Sequence, residues 1–282
     1  PHGRQRPAST LKILTTLVVR DRLDPDLEIV AVQEDVDVDG SRAGIGPGGR
    51  YTVRQLLAGL LLNSGNDAAT ALARTMGGTQ ATLAAMQTRA EELGALDTRP
   101  ATPSGLDGPG MSSSAYDLAL LFRVALRDPL VRETLATRTV PFPGFADRPG
   151  FVLSNDDPLL RYPGAIGGKT GFTDAARHTF VGAAERGGRR LVVALVRGEH
   201  QPVRMVAQAT ALLDYGFALP PTTSLGTLVD ARPVPVAPPT PEPPPAAAVE
   251  GERPSSELWL AGAAGVVVVV GLGSLALRHR RR

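Results

Sequence analysis

Residues 6–15 read Arg6-Pro7-Ala8-Ser9-Thr10-Leu11-Lys12-Ile13-Leu14-Thr15. Leu11, Leu14, Leu17 and Val18 recur at helical spacing, and Pro7 and Ser9 are helix-start residues, so a helix is expected from about Ser9 to Arg20. Three residues apart on such a helix, Ser9 and Lys12 lie side by side on one face. An amine whose pKa is lowered can take the serine proton and make the hydroxyl a nucleophile, which a guanidinium cannot do. The chain has only two lysines, Lys12 and Lys169, against 28 arginines, so an amine persists where its chemistry is needed. Alone, the pair also reads as a serine helix cap followed by a solvated lysine.

Working outward, the second lysine sits in Gly167-Gly168-Lys169-Thr170-Gly171, within a segment, Ala165 to Phe172, expected to be extended. Gly171 would leave room for a ligand along the strand, and the Thr170 hydroxyl and Lys169 ammonium could hold a carboxylate. The bland reading is a glycine-rich bulge with an exposed lysine. Between the two lysines, Asn63-Ser64-Gly65-Asn66 breaks two helical stretches. There Ser64 could relay a proton and Asn66 could bind a substrate carbonyl, although Ser, Gly and Asn are also ordinary turn residues.

In this order, Ser-x-x-Lys, Ser-x-Asn and Lys-Thr-Gly form the motif set of the penicillin-recognising serine acyl enzymes. The chain resembles one branch closely, the low-molecular-mass D-alanyl-D-alanine carboxypeptidases. The resemblance rests on residues 6–15, on Leu62-Asn63-Ser64-Gly65-Asn66-Asp67-Ala68-Ala69, on Thr102-Pro103-Ser104-Gly105-Leu106-Asp107, on Ser113-Ser114-Ala115-Tyr116-Asp117-Leu118-Ala119 and on Gly168-Lys169-Thr170-Gly171-Phe172-Thr173. It spans about Arg6 to Phe217. Gly65 stands where class A β-lactamases typically carry Asp.

The resemblance implies an α/β (α+β) transpeptidase-like domain, an antiparallel sheet flanked by helices with an α-helical subregion. It implies Ser9 as nucleophile, Lys12 as base, and Ser64 with Lys169 delivering a proton to the departing D-alanine. The N–H groups of Ser9 and Phe172 would form the oxyanion hole, and Asn66, Thr170, Gly171 and, more weakly, Arg204 would bind substrate. The implied partners are a peptidoglycan stem peptide ending in D-Ala-D-Ala and β-lactams as covalent inhibitors, with no metal or organic cofactor. Only eight residues precede Ser9, where relatives carry strands of the central sheet, so the chain reads as N-terminally truncated with one sheet edge exposed. Competing readings are a β-lactamase, a transpeptidase or endopeptidase on the same fold, or an inactive membrane-anchored protein that binds cell-wall peptides.

Composition narrows the chemistry and does not fix the compartment. Cysteine is absent, which excludes thiolate chemistry and disulfides. The formal charge of +2 comes from the tail Arg278-His279-Arg280-Arg281-Arg282, and aromatic residues are few, which argues against a nucleic-acid binder. After a domain over residues 1–220, the Pro- and Ala-dense stretch 221–257 is expected to be a semi-rigid spacer. Residues 258–277 carry no charge and are long enough to span a bilayer, with Trp259 at one end and the basic tail 278–282 at the other. The expected location is a bacterial cell membrane, the C-terminus cytoplasmic and the main domain outside. Two further element expectations are short strands from Glu28 to Val38, ending at Asp39-Gly40, and a last helix from Val203 to Gly216.

Overall fold

A helix buried on almost every side organises the chain. In the computed structural model, which describes residues 1–223 and Val229, a 3-10 turn over Ala8–Leu11 runs into α1 (Lys12–Arg22), whose residues from Lys12 to Val19 are all buried. The start lies three residues later than expected, because the segment carrying Ser9 is a tight 3-10 turn and Ser9 does not cap the helix. Two threonines in α1 are buried without penalty: Thr16 donates to the Lys12 carbonyl at 2.8 Å and Thr15 to the Pro103 carbonyl at 2.6 Å.

The following chain builds a helical layer around α1. β1 (Glu28–Val30) is followed by α2 (Gln33–Val36) and pairs antiparallel with β2 (Arg50–Thr52). Residues 33–36 are thus helical where strands were expected. The buried Asp35 carboxylate decides this: it accepts from the Val32 N–H at 3.0 Å and pairs with Arg74 at 2.8 Å, and no alternation of valines reveals that pairing. α3 (Val53–Leu62) starts at a reciprocal cap, with Gln55 N–H donating to Thr52 Oγ1 and Thr52 N–H to Gln55 Oε1. α4 (Asn66–Thr75), α5 (Thr79–Leu93), α6 (Ala115–Ala125) and α7 (Pro129–Ala136) follow. Ser114 caps α6, and Asp128 caps α7 while also holding Arg20 of α1 at 2.7 Å.

β3 (Thr139–Phe142) and β4 (Phe151–Ser154) form a two-stranded antiparallel ribbon. β5 (Ala165–Thr173), β6 (Arg177–Arg186) and β7 (Arg189–Gly198) form the main antiparallel sheet, β6 and β7 joined across Gly187-Gly188. The run Phe180-Val181-Gly182-Ala183-Ala184 is apolar at nearly every position because both faces of β6 are covered. Val181 and Ala183 belong to the large core shared with α1 and its neighbours. Phe180 and Ala184 point the other way, to a smaller core with Met205, Ala209 and Leu213 of α8 (Met205–Ala218). α8 begins and ends two residues later than expected, and Gly216 is buried inside it against Leu191 rather than ending it. Among the described residues β7 is paired on one side only.

The proposed spacer (221–257), membrane helix (258–277) and basic tail (278–282) lie outside the described residues, save Thr222, Thr223 and Val229 with Pro221 at the spacer's edge. Among the described residues no helix is long and apolar enough to cross a membrane.

The loop before β2 is held by one carboxylate. Asp67 accepts from the backbone N–H of Ala43 (2.7 Å), Gly44 (2.9 Å), Ile45 (3.2 Å) and Ala68 (2.8 Å). Replacing Asp67 by Asn turns one acceptor into a donor facing N–H groups. Asp67→Asn should lower unfolding stability by roughly 2–3 kcal/mol, measured as a lower urea midpoint at unchanged slope.

Candidate active site

The turn that carries Ser9 is clamped to the sheet. Ala8 takes a left-handed backbone (φ 47°), rare for a residue with a side chain. The Pro7 carbonyl just before it accepts both the Thr10 hydroxyl and, at 2.7 Å, the Thr179 hydroxyl of β6. On β5, Gly171 comes so close that a Cβ there would lie 2.7 Å from the Ser9 nitrogen and 2.4 Å from Thr179 Oγ1. The missing side chain therefore makes room for the nucleophile turn, where the sequence suggested room for a ligand.

Lys12, the first residue of α1, is completely buried, and its amine has three oxygen neighbours: Ser9 Oγ at 2.9 Å, Asn66 Oδ1 at 2.7 Å and the Ser104 carbonyl at 2.6 Å. The Asn66 amide cannot be reversed, because its Nδ2 donates to the Asp39 carbonyl at 2.6 Å. Asn66 Oδ1 and Ser104 O can only accept. Burial, and next the nearby Lys169 charge, push the Lys12 pKa well below its ordinary value, with Asp67 opposing. A neutral amine has two N–H groups and one lone pair. The two carbonyls take both N–H groups, so the lone pair faces the Ser9 hydroxyl, as a base needs.

Lys169 lies on β5, 3 % exposed, with its ammonium donating to the Thr170 carbonyl at 2.8 Å. Burial lowers its pKa to about 8, while Asp157 and Asp156 pull it up. Ser64, with a left-handed backbone (φ 60°), lines the same cleft as Ser9, Lys169, Thr170, Gly171 and Phe172. The cleft holds about 460 Å³. Gly65 packs against Ala43, where a Cβ would lie 2.7 Å from its methyl group, and so brings the Ser64 loop onto the segment held by Asp67.

The geometry thus unites Ser9, Lys12, Asn66, Ser64, Lys169 and Thr170, with different duties. Asn66 accepts from Lys12 at Oδ1 and donates one of its two amide N–H groups to the Asp39 carbonyl, so it orients Lys12 and keeps a second N–H. Arg204, exposed at the start of α8, lines the outer cleft with His178 and His200. Those two rings stack 3.4 Å apart, and the exposed Phe172 packs 4.5 Å from His178. Reading the sequence missed Ser104, Asp67, Thr179 and the histidine pair. Ser104 acts through a backbone carbonyl, for which no residue type is a signal. Asp67, next to Asn66 in a helix's first turn, was visible as a dipole-favoured acid.

A model of the D-alanyl-D-alanine carboxypeptidase family matches residues 1–199. The chain is 50 % identical over 228 residues to the D-alanyl-D-alanine carboxypeptidase DacB2 of Mycobacterium tuberculosis, covering 79 % of this chain and 77 % of that protein. It is 30 % identical to DacF of Bacillus subtilis, of which it spans 57 %. The crystal structure of a D-alanyl-D-alanine carboxypeptidase from Mycobacterium tuberculosis superposes with a TM-score of 0.77 at 49 % identity, over 80 % of this chain and 86 % of that one. The Streptomyces K15 DD-transpeptidase superposes with a TM-score of 0.73 at 31 % identity, over 77 % and 89 %. The mixed α/β domain therefore has the transpeptidase-like fold.

The close approach of Gly171 to Ser9 can be tested directly. Gly171→Ala should push the nucleophile turn off the strand and cut the rate of Ser9 acylation by roughly 100-fold, read by stopped-flow with a chromogenic cephalosporin.

Proposed function

The chain belongs to the D-alanyl-D-alanine carboxypeptidase family, and we propose that it removes the terminal D-alanine of peptidoglycan stem peptides through an ester on Ser9. One observation carries the mechanism: the dry Lys12 amine lies 2.9 Å from the Ser9 hydroxyl, beside two carbonyl oxygens that can take the N–H groups a neutral amine keeps.

Lys12 takes the Ser9 proton as Oγ attacks the carbonyl between the two D-alanines. The N–H groups of Ser9 and Phe172 receive the developing oxyanion, the role in which preorganised donors are worth most. As the C–N bond breaks, a proton reaches the leaving amine through Ser64, with Lys169 as the local cation. Water then attacks the ester, gives a proton to Lys12, and Ser9 recovers its own. Thr170 and Arg204 hold the terminal carboxylate of the substrate. A β-lactam would follow the same first step and remain as an ester on Ser9. A membrane anchor at residues 258–277, with this domain outside a bacterial cell membrane, rests on the sequence pattern alone.

A second reading, in which an amine replaces water as acceptor, is supported by similarity to the Streptomyces K15 DD-transpeptidase. Products of a stem peptide incubated with and without a free amino acid distinguish the two.

The lysine roles make two predictions. Intact-protein mass spectrometry should show one penicilloyl adduct on Ser9, slowed roughly 1,000-fold in Lys12→Arg, which cannot act as base. An intact Lys12→Arg rate would remove Lys12 from the mechanism. The acylation rate should also be bell-shaped in pH. It rises as Lys12 loses its proton, below the ordinary lysine range, and falls as Lys169 loses its own near pH 8. A rate flat through the alkaline range would sink the cationic role of Lys169.

A further inference from the structure

Asp157 is a charged group that the mechanism leaves unused. It lies between Asp156 and Pro158, both of which line the cleft, yet it turns inward, 8 % exposed. Its Oδ1 accepts the Leu159 N–H at 2.9 Å, capping the 3-10 turn Pro158–Arg161. Among the described residues its Oδ2 is buried without a well-aligned hydrogen-bond partner, the Gly168 N–H of β5 being the backbone group that acts on it besides Leu159. Capping explains one oxygen only, and Asn or Ser would cap as well with no charge to bury. A buried carboxylate is tolerated when an opposite charge compensates it. The 3-10 turn packs on β5, which carries the equally buried Lys169. Among the described residues the Lys169 ammonium has one hydrogen-bond partner, the Thr170 carbonyl, and no direct ion pair.

We propose that Asp157 is a positioning residue: its inward carboxylate is the counter-charge that keeps the Lys169 ammonium charged inside the site, although it touches no reacting atom. The inference rests on the reading of Lys169 as the local cation.

The two groups act on each other in opposite senses. Burial raises the Asp157 pKa to about 6, with the Leu159 N–H, the Lys169 charge and the Gly168 N–H of β5 opposing. Burial lowers Lys169 to about 8, with Asp157 the largest opposing cause. Both are therefore charged between about pH 6 and about pH 8. The other charged or titratable groups around the pair are Asp156 on the same loop, which also pulls Lys169 up, and Lys12 on α1, whose pKa burial pushes well below its ordinary value. At the surface of the loop Arg161 is exposed, and Arg138 donates to the Leu160 carbonyl.

The composition of the chain makes this measurable. Both lysines lie in the site, so isotopic labelling of lysine Cε gives two NMR resonances, assigned by the loss of one in Lys169→Arg. In the parent protein the Lys169 resonance should titrate near pH 8, with a small inflection near pH 6 as Asp157 takes its proton. In Asp157→Asn, which keeps an oxygen for the Leu159 N–H, the inflection should vanish and the Lys169 midpoint should fall by roughly one unit. Penicillin acylation should follow: several-fold slower at the alkaline edge, unchanged on the acid side, and insensitive to Asp157→Asn in a Lys169→Arg background. An unmoved Lys169 midpoint in the folded variant, or a uniform loss of rate at every pH, would reduce Asp157 to a helix cap and overturn the proposal. If Asp157→Asn does not fold, the parent titration decides alone, and a Lys169 curve without the inflection overturns it. A parent that never acylates would count against Ser9 instead and would leave the lysine titration readable.

Discussion

Placing the Lys12 amine where water cannot reach it is the constraint on which the rest of the structure depends. In water the amine would be protonated and useless as a base. Sealed at the start of α1, it is driven toward neutrality and must find its partners within the protein. The surrounding polypeptide meets that demand with two carbonyl oxygens and one hydroxyl. Each acceptor needs its own support. α1 holds one of them itself, since Thr15 grips the Pro103 carbonyl next to Ser104. The other, Asn66, is locked by Asp39 in a loop that Asp67 gathers through backbone N–H groups.

The sheet supplies the second boundary. β5 and β6 pin the turn ahead of Lys12 through Thr179 and the close approach of Gly171. Ser9 is thus fixed between a helix that carries Lys12 and a strand that sets its backbone. The sheet can do this because it is itself held on both faces, by the helical layer and by α8. The left-handed residues Ala8 and Ser64 mark where the chain departs from regular geometry to meet the cleft.

Charge is graded from the interior to the mouth of the site. Lys12 is buried among acceptors, Lys169 is buried beside the inward Asp157, and Arg204, His178 and His200 occupy the open rim. At the dry end small changes in neighbouring charge change protonation most. The exposed Arg204 guanidinium stands at the solvent side of the cleft.

Much of this was legible in the order of residues alone. Periodicity placed α1 and α8 to within three residues of their ends, the run Ala165 to Phe172 emerged as β5, and Asn63-Ser64-Gly65-Asn66 marked the break between α3 and α4, because helical spacing and turn residues act within a few residues of themselves. The two lysines, each in a motif, identified the chemistry because residue type alone separates an amine from a guanidinium. What depends on distant partners was not legible. The valines near residue 32 suggested strands, whereas the buried Asp35–Arg74 pair made a helix. Gly171 suggested space for a ligand, whereas the fold fills that space with the Ser9 turn. The sequence by itself determined which groups could react. Only the tertiary structure decided which of them are dry, which carbonyls surround Lys12 and which loop packs on the strand that carries Lys169, because desolvation and electrostatics are set by neighbours in space.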